Sequence, residues 1–202
     1  MKGRLITFEG IDGSGKSTQL RLVRKYLVQK GFSVLTAKDP GGTGTGEKIR
    51  RILLEPEIGT ERLDNLTELF LYLASRSVLV SSVIKPALDK GMIVLCDRFT
   101  DSTIAYQGFG RKLPLGILNR VCPIASHGLK PDLTFLIDVS PETGLSRVRK
   151  ADRIESLGLV FQRRVRAGFL YLAAREPERF RVIKSGGSPQ KTFAYIIKQL
   201  NL

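Results

Sequence analysis

The sequence predicts an α/β fold: a five-stranded parallel sheet with helices on both faces, formed by a single domain over residues 1–202. Three observations support this prediction. Short, almost wholly apolar runs alternate with longer segments of helical periodicity, the pattern of β-α-β units. The apolar runs lack polar alternation, as expected of strands covered by helices on both faces. The length of 202 residues suits one domain able to bury a core.

The N-terminal quarter of the chain contains two predicted strands. RLITFEG (4–10) is a buried strand ending in a turn, and residues 15–30 form a helix that Gly31 stops. FSVLTA (32–37) is the second strand. The glycine-rich segment DPGGTGTGE (39–47) follows and is predicted to be a loop.

The rest of the chain supplies three more strands. A long helix is predicted over 65–88, and Pro86 near its end predicts a kink. The apolar positions at helical spacing are Leu66, Leu69, Phe70, Leu73, Val80 and Ile84. The other strands are GMIVLCD (91–97), DLTFLIDV (132–139) and RFRVI (179–183), and a terminal helix begins near Pro189. Ligands of parallel sheets bind beyond the carboxyl ends of the strands, so chemistry is expected there.

The composition is strongly basic, with 33 Lys and Arg against 19 Asp and Glu and a formal net charge of +14. Nucleic-acid binding, the handling of several phosphates at once, and a charged surface suited to high temperature are all compatible with this excess. The basic residues between Arg147 and Lys184 are mixed with apolar ones. This pattern predicts amphipathic helix more than a disordered basic arm.

Cellular location is predicted from three features. The N-terminus lacks a signal-peptide pattern, and no apolar run reaches the ~18 residues of a membrane span. Cys96 and Cys122 lie in apolar surroundings, which favours buried, reduced thiols. We therefore expect a cytoplasmic protein without a membrane partner.

The segment after the first strand is a candidate phosphate-binding loop, because residues 10–17 match G-x-x-x-x-G-K-[ST]. Its glycines let successive backbone N–H groups face one concavity, and the helix that follows favours an anion at its N-terminus. Lys16 can reach the β- and γ-phosphates, and the Ser17 hydroxyl can bind Mg²⁺. The predicted triphosphate-binding residues here are Gly10, Asp12, Gly13, Ser14, Gly15, Lys16, Ser17 and Thr18.

Asp97 and Arg98 follow the third strand and therefore emerge at the ligand edge of the sheet. The carboxylate can bind Mg²⁺ directly or through water, and the guanidinium can hold a phosphate with two hydrogen bonds. A local ion pair at the strand end is the alternative. Tyr106 and Gln107 lie on a short predicted helix, where they either shape a nucleotide pocket or belong to the core.

Several segments together resemble the thymidylate kinase family over about residues 4–183. They are FEGIDGSGKSTQ, DPGGT, DRFTDSTIAYQGFGR, KPDLTFLIDVSPETGL and DRIE. The resemblance implies a P-loop kinase fold with a short lid at about 144–156, and a homodimer. It also implies transfer of the γ-phosphoryl group of ATP to dTMP, with Mg²⁺, giving dTDP and ADP for dTTP synthesis.

The resemblance also implies residue roles. Asp12 matches the loop acid that contacts the sugar 3′-hydroxyl of dTMP and influences the metal. Arg76 matches the arginine that recognises the thymine carbonyl edge, and Tyr72 matches the aromatic that stacks on thymine. Arg98 and Arg50 are candidates for holding the dTMP phosphate. The other implied dTMP-binding residues are Pro40, Thr103, Tyr106 and Gln107.

The sequence departs from the family pattern at Lys38 and Asp39, where arginine and glutamate are usual. Gly13 stands where some relatives carry an arginine, so the charge on the transferred phosphoryl group is expected to be met by a lid arginine. Arg153 in DRIE is the first candidate for this catalytic role beside Lys16, Arg98 and Asp12. Arg149 is the second candidate, and Arg147 is expected near the adenine of ATP.

Two other functions remain open from the sequence alone. A nucleic-acid-binding P-loop ATPase would explain the positive charge and would show salt-sensitive DNA binding. Another nucleoside or nucleotide kinase of the same fold would keep the phosphate loop but lack the DRF–AYQG block and Arg76. We expect no nucleic-acid partner and a surface position for the single histidine, His127. Adenine contacts in the small, open segment 184–188 stay unassigned.

Overall fold

The computed structural model describes residues 2–55, 63–148, 152–185 and 187–200. Its five strands form one parallel sheet in the order β2-β3-β1-β4-β5. The strands are β1 (Arg4–Glu9), β2 (Val34–Lys38), β3 (Ile93–Asp97), β4 (Leu133–Asp138) and β5 (Phe180–Lys184). The predicted five-stranded α/β fold is therefore confirmed.

The described helices connect these strands. They are α1 (Lys16–Gln29), α2 (Gly44–Leu54), α3 (Asn65–Leu79), α4 (Lys85–Asp89), α5 (Thr100–Thr103), α6 (Leu115–Ala125), α7 (Pro141–Ser146), α8 (Gly158–Arg175) and α9 (Pro189–Gln199). Two π-helical segments, Val80–Ile84 and Ile104–Gly110, extend α3 and α5, and a short 3₁₀ turn covers Glu155–Leu157.

Helices cover both faces of the sheet. Along β1, Ile6 and Phe8 join one apolar cluster, with residues of α1 and α9, while Leu5 joins another that includes Leu79 of α3. This alternation follows from the strand geometry, in which successive side chains point to opposite faces. Because both faces are buried, the strand sequences are continuously apolar.

Three predictions about element boundaries were wrong. The glycine-rich segment 39–47 is not all loop, because α2 begins inside it at Gly44, where the Thr43 side chain accepts a hydrogen bond from the backbone N–H of Gly46 at 2.9 Å. The second and third strands begin two residues later than predicted. The basic, apolar-mixed segment between Arg147 and Lys184 is helical in α8, as predicted, and β5 follows it near the predicted strand 179–183.

The helix predicted over 65–88 is divided into α3 and α4 by a π-helical turn. The π-helical segment Val80–Ile84 lies directly before the short helix that carries Pro86. Proline has no N–H for the regular helical bond, and a local change of helical pitch accommodates such a position.

The carboxyl ends of β1, β2 and β3 lie at one edge of the sheet. Phe8 is in register with Asp97, and Lys38 is also in register with Asp97. The phosphate loop leaves β1 at this edge, so the fold places Glu9, Asp12 and Arg98 around one location.

Candidate active site

A cavity opens at this edge of the sheet. The phosphate loop, α3 and the π-helical segment Ile104–Gly110 all contribute side chains to its wall. Asp152, Ile154 and Glu155, in the segment before α8, also line it. The sequence-predicted residues among its lining are Asp12, Lys16, Ser17, Pro40, Arg50, Tyr72, Arg76, Asp97, Arg98, Thr103, Tyr106 and Gln107.

A second cavity lies on the other side of the phosphate loop. Its lining runs from Gly13 to Gln19 and is completed by Arg147, Ser185, Gly187 and Pro189. Lys16 and Ser17 line both cavities. The loop therefore separates two spaces that share one lysine and one hydroxyl group.

The phosphate loop has the backbone form that its glycines predict. Gly13 and Gly15 have φ of 71° and 92°, in the left-handed region, and α1 begins at Lys16. A Cβ atom at Gly13 would lie 2.0 Å from the carbonyl oxygen of Gly144 in α7. The side chain of an arginine therefore has no room at this position while the loop packs against α7.

Ser17 and Asp97 are in contact, as the metal prediction requires. The Ser17 hydroxyl donates to Asp97 Oδ2 at 2.5 Å. Hydroxyl and carboxylate oxygens are the ligands that Mg²⁺ prefers, and Mg²⁺ keeps several waters. Within the described ranges there is no group of three or more His, Cys, Asp or Glu side chains placed to hold a metal ion. The residues present fit a hydrated Mg²⁺ held by one or two protein oxygens.

Asp12 lies at the centre of a hydrogen-bond network. Arg98 Nη2 donates to Asp12 Oδ1, Tyr106 Oη donates to Asp12 Oδ2 at 2.8 Å, and Gln162 Nε2 donates to the same oxygen at 3.2 Å. Burial alone would raise the pKa of Asp12, but Arg98, Lys16 and these hydrogen bonds outweigh burial and lower the pKa. The carboxylate in the phosphate loop is thus compensated by protein groups and stays ionised.

Arg98 itself is held in an unusual conformation. Its φ is 70°, its N–H donates to the Phe8 carbonyl at 3.1 Å, and its Nη1 donates to the Gly10 carbonyl at 2.9 Å. The left-handed region is uncommon for residues other than glycine and is found where surrounding contacts fix it, often at functional sites. The guanidinium therefore connects the end of β3 to the phosphate loop.

Glu9 is a buried carboxyl group that the sequence analysis did not select. It accepts a hydrogen bond from the Phe99 N–H at 2.7 Å and another from the Ser102 hydroxyl at 2.6 Å. Burial and the nearby Asp101 carboxylate raise the pKa of Glu9 to about 8, although Arg98 opposes the shift. The sequence did contain a sign of this group, because Glu9 is a charged residue at the end of an otherwise largely apolar strand.

Arg76 is buried in the wall of the cavity, with 1% of its surface exposed. Its Nε donates to Asp39 Oδ2 at 2.6 Å, and its Nη2 donates to the Phe99 carbonyl at 3.2 Å. Among the buried polar atoms that have no hydrogen-bond partner in the described part of the chain, three belong to residues that line this cavity: Arg76 Nη1, Asp39 Oδ1 and Thr103 Oγ1. Buried polar atoms are costly to leave unpaired, so this end of the cavity suits a polar ligand.

The remaining predicted side chains take positions around this cavity. Tyr72 lines it one turn before Arg76, and burial raises the pKa of the Tyr72 phenol. Arg50 Nη1 donates to the Pro40 carbonyl at 3.1 Å. Gln107 lines the cavity, while its amide donates to Glu68 at 3.0 Å. Lys38, which replaces the usual arginine, also lines the cavity.

The two described lid arginines lie in different places. Arg153 is absent from the cavity lining in the described residues; its Nε donates to the Leu53 carbonyl at 2.7 Å and its Nη2 to Glu68 at 2.7 Å. Arg147 Nη1 lies 3.3 Å from the Gly13 carbonyl, beside the phosphate loop. Arg149 falls outside the described residues, as does Gly186 in the segment 184–188.

Surface and core residues outside the cavity agree with the sequence analysis. His127 is exposed, and its Nε2 pairs with the Ser77 hydroxyl at 3.0 Å. Cys96 and Cys122 are buried free thiols. The acidic cavity residues that the sequence analysis missed are Asp39, Asp152 and Glu155. The DRIE motif indicated its arginine, whereas its two acidic residues line the cavity.

Comparison with known proteins gives one consistent result. A sequence profile of the family described as thymidylate kinase matches residues 8–196. The chain is 46% identical over 209 residues to a thymidylate kinase of Chlorobium luteolum, covering 98% of this chain and 96% of that protein. It is 46% identical over 202 residues to one of Pelotomaculum thermopropionicum, covering 98% and 93%. The crystal structure of thymidylate kinase from Ehrlichia chaffeensis superposes with a TM-score of 0.81, at 35% identity and full coverage of both chains.

Proposed function

The chain belongs to the thymidylate kinase family, and from this premise we propose which of its residues carry out the reaction. The enzyme transfers the γ-phosphoryl group of ATP to dTMP, giving dTDP and ADP for dTTP synthesis. The observation that carries the residue assignment is the pair of cavities that share Lys16 and Ser17. One cavity is assigned to each substrate.

ATP is assigned to the cavity beyond the phosphate loop. The N–H groups of residues 10–18 and the N-terminus of α1 surround its phosphates, and Lys16 neutralises charge at the β- and γ-phosphates. Arg147, whose guanidinium lies at the Gly13 carbonyl, is assigned to this side as well. Its position supports a contact with phosphate more than with adenine.

dTMP is assigned to the cavity lined by α3. Tyr72 stacks on the thymine ring, and the unpaired atoms Arg76 Nη1 and Thr103 Oγ1 bond to its polar edge. Arg98 and Arg50 hold the dTMP phosphate near Lys16. Asp12 faces the sugar hydroxyl and keeps Arg98 in place through their ion pair. Pro40, Tyr106 and Gln107 complete the wall.

No strong general base is required by this assignment. The acceptor is a phosphate monoester with a second pKa of about 6, so it is mostly dianionic at neutral pH. The work of the protein is to bring two anions together and to compensate charge on the transferred group. Lys16, which lines both cavities, and Arg98, which lines the cavity assigned to dTMP, are the cations placed to do so.

Mg²⁺ is proposed at Ser17 and Asp97. It would neutralise phosphate charge when bound there. Asp97→Asn should raise the Mg²⁺ concentration needed for half-maximal activity about tenfold or more, because the ligand loses its charge. The same Mg²⁺ requirement in the wild type and the variant would contradict this site.

A homodimer is proposed through α2, α3 and α6. Exposed apolar side chains on these neighbouring helices are Ile52, Leu66, Phe70, Ile117 and Ile124, with Phe70 60% and Ile124 74% exposed. An apolar surface of this kind is typical of an interface between subunits. A second copy of the chain is the proposed partner.

A single cytoplasmic domain without nucleic-acid or membrane partners is proposed as well. One continuous sheet supports a single domain. The stretch Asn65–Asp89 is long and apolar enough to cross a bilayer, but its Leu69, Leu73 and Leu79 pack in the core, as in core helices of proteins outside membranes. The excess Lys and Arg are assigned to phosphates and surface solvation.

The substrate assignment is tested with a panel of acceptors. With ATP and Mg²⁺, dTMP should be phosphorylated well, dUMP less well, and dCMP, dGMP and thymidine poorly. Equal rates on all monophosphates would remove the thymine-specific roles of Tyr72, Arg76 and Thr103. Stimulation of ATP hydrolysis by DNA, with nanomolar affinity at physiological salt, would favour a nucleic-acid-dependent ATPase.

A further inference from the structure

Glu68 is a nearly fully buried carboxylate, with 1% of its surface exposed, and three elements converge on it. It accepts hydrogen bonds from Gln107 Nε2 at 3.0 Å, from Arg111 at 2.7 and 3.1 Å, and from Arg153 Nη2 at 2.7 Å. Burial would raise the pKa of Glu68, but these donors outweigh it and lower the pKa. The carboxylate is therefore a charged junction between α3, the π-helical segment and the segment before α8.

Arg153 is tied into this junction at more than one point. Its Nε donates to the Leu53 carbonyl at 2.7 Å, and its backbone N–H donates to the Leu54 carbonyl at 3.2 Å, both at the end of α2. These bonds satisfy carbonyl groups that the helix end leaves unpaired. The guanidinium is thus engaged by Glu68 and by the end of α2.

The residues on either side of Arg153 face the cavity. Asp152, Ile154 and Glu155 line it, and Arg153 does not. The turn is fixed internally, because Asp152 Oδ1 accepts from the N–H groups of Ile154 and Glu155 at 2.8 and 2.9 Å, and Glu155 accepts from the Asp152 N–H at 2.9 Å. A compact turn of this kind moves as a unit, so whatever anchors Arg153 sets the position of both acidic residues.

We propose that Arg153 is a positioning residue that acts through Glu68 to hold Asp152 and Glu155 against the dTMP cavity. This assignment rests on the proposed function of that cavity. It replaces the transition-state role that the DRIE motif suggested for Arg153. Because Glu68 lies one turn before Tyr72 on α3, the same carboxylate ties this wall of the cavity to the helix that carries Tyr72 and Arg76.

Steady-state kinetics of Arg153→Met test the proposal, since methionine keeps an unbranched apolar stem but makes no donor bonds. The KM for dTMP should rise about tenfold, while kcat stays within about threefold and the KM for ATP is unchanged. Arg153→Lys, which keeps a charge for Glu68, should restore part of the loss. Glu68→Gln should raise the KM for dTMP, and the double variant should be no worse than the more affected single variant, because one interaction is removed in each case.

Arg111→Ala is the matched control, since it removes another partner of Glu68 but leaves the turn at 152–155 anchored. It should keep the KM for dTMP near the wild-type value.

A fall in kcat of about 100-fold in Arg153→Met, with the KM unchanged, would overturn the proposal in favour of a transition-state contact. Normal kinetics in both Arg153 variants, or fully additive effects with Glu68→Gln, would also overturn it. Wild-type turnover of dTMP in the same assay separates failure of this proposal from failure of the substrate assignment. If Arg153→Met does not fold, Arg153→Lys and Glu68→Gln test the proposal instead.

Discussion

The unpaired hydroxyl of Thr103 makes a sharp prediction at the scale of one residue. Thr103→Val removes a buried hydroxyl that has no partner in the described part of the chain, while keeping the shape of the side chain. The apo protein should therefore be as stable as the wild type or more so. Affinity for dTMP should fall by about 1–2 kcal/mol, the value of one hydrogen bond to ligand. Calorimetric titration with dTMP and thermal melting of the apo protein measure the two effects.

Thr7→Val is the control for that substitution. Thr7 Oγ1 shares a buried hydrogen bond of 2.8 Å with Thr134 Oγ1, in the strands below the site. Its loss should lower stability by about 1 kcal/mol and leave dTMP affinity unchanged. If Thr103→Val lowered apo stability as much as Thr7→Val does, the hydroxyl would have a structural partner and no role in binding.

Glu9 predicts a pH dependence of stability. Its pKa is raised to about 8 by burial and by Asp101, so the folded protein keeps a proton that the unfolded chain loses near its ordinary pKa of 4.5. The folded state binds more protons between these values, and stability therefore falls as pH rises from about 5 to 8. In Glu9→Gln, the loss of folding stability between pH 5 and 8 should be smaller than in the wild type by at least about 1 kcal/mol.

Denaturant unfolding of the wild type and Glu9→Gln at several pH values, in buffer free of Mg²⁺, measures the difference. Asp12 and Glu68 have lowered pKa values. The stability that their ionised forms contribute is lost only as pH falls below the ordinary pKa of a carboxyl group, which lies below the range of pH 5 to 8. Parallel curves for the two proteins between pH 5 and 8 would show that Glu9 is ionised in the fold.

For single residues, the sequence predicted which ones lie near the site but not the direction in which each side chain points. Residues after the strands were correctly expected at one edge, because parallel strands end together, and Asp12, Asp97 and Arg98 all line the cavity. In DRIE the sequence placed four residues near the site but did not say which of them face it. Only the contacts with Glu68 and α2, which are remote along the chain, settle that Arg153 turns away.

At the scale of elements, the phosphate loop depends on its fit against α7. Gly13→Ala should lose more than about 2 kcal/mol of stability and most activity, since the residue has φ of 71° and its Cβ would meet the Gly144 carbonyl. Gly116→Ala is the matched control, because that helical glycine in α6 has open space around its Cβ position. The control should gain up to about 1 kcal/mol. Equal melting temperatures for both variants would contradict the tight packing.

The strands were predictable from the sequence, whereas helix α2 was not, for a physical reason. Strands buried on both faces have no polar positions, so apolar composition alone marks them. Helix α2 contains Gly44 and Gly46 and begins in a segment whose composition is that of a loop. It forms because Thr43 caps its start and Leu53 is fully buried at its end. Tertiary packing outweighs helix propensity there, and a sequence window does not contain that information.

At the scale of the whole molecule, the apolar face of α2, α3 and α6 predicts the assembly state. Phe70→Asp should convert the proposed dimer to a monomer, because it would bury an unpaired charge within that face. Tyr195→Asp is the control, since Tyr195 is 51% exposed on α9, at the opposite face of the sheet. Light scattering after size-exclusion chromatography measures the masses. A wild-type monomer, or a dimer that survives Phe70→Asp, would contradict the proposed interface.

The two cavities that meet at Lys16 have a stereochemical consequence. In the proposed assignment, ATP and dTMP lie on opposite sides of the loop and can react directly, so the phosphorus atom should be attacked once, from the side opposite its leaving oxygen. A single in-line displacement inverts the arrangement of groups around phosphorus, whereas two successive displacements through a phosphorylated side chain restore it. An ATP analogue made chiral at the γ-position with sulfur and oxygen isotopes should therefore give a dTDP analogue of inverted configuration, and retention would reveal a covalent intermediate between the two cavities.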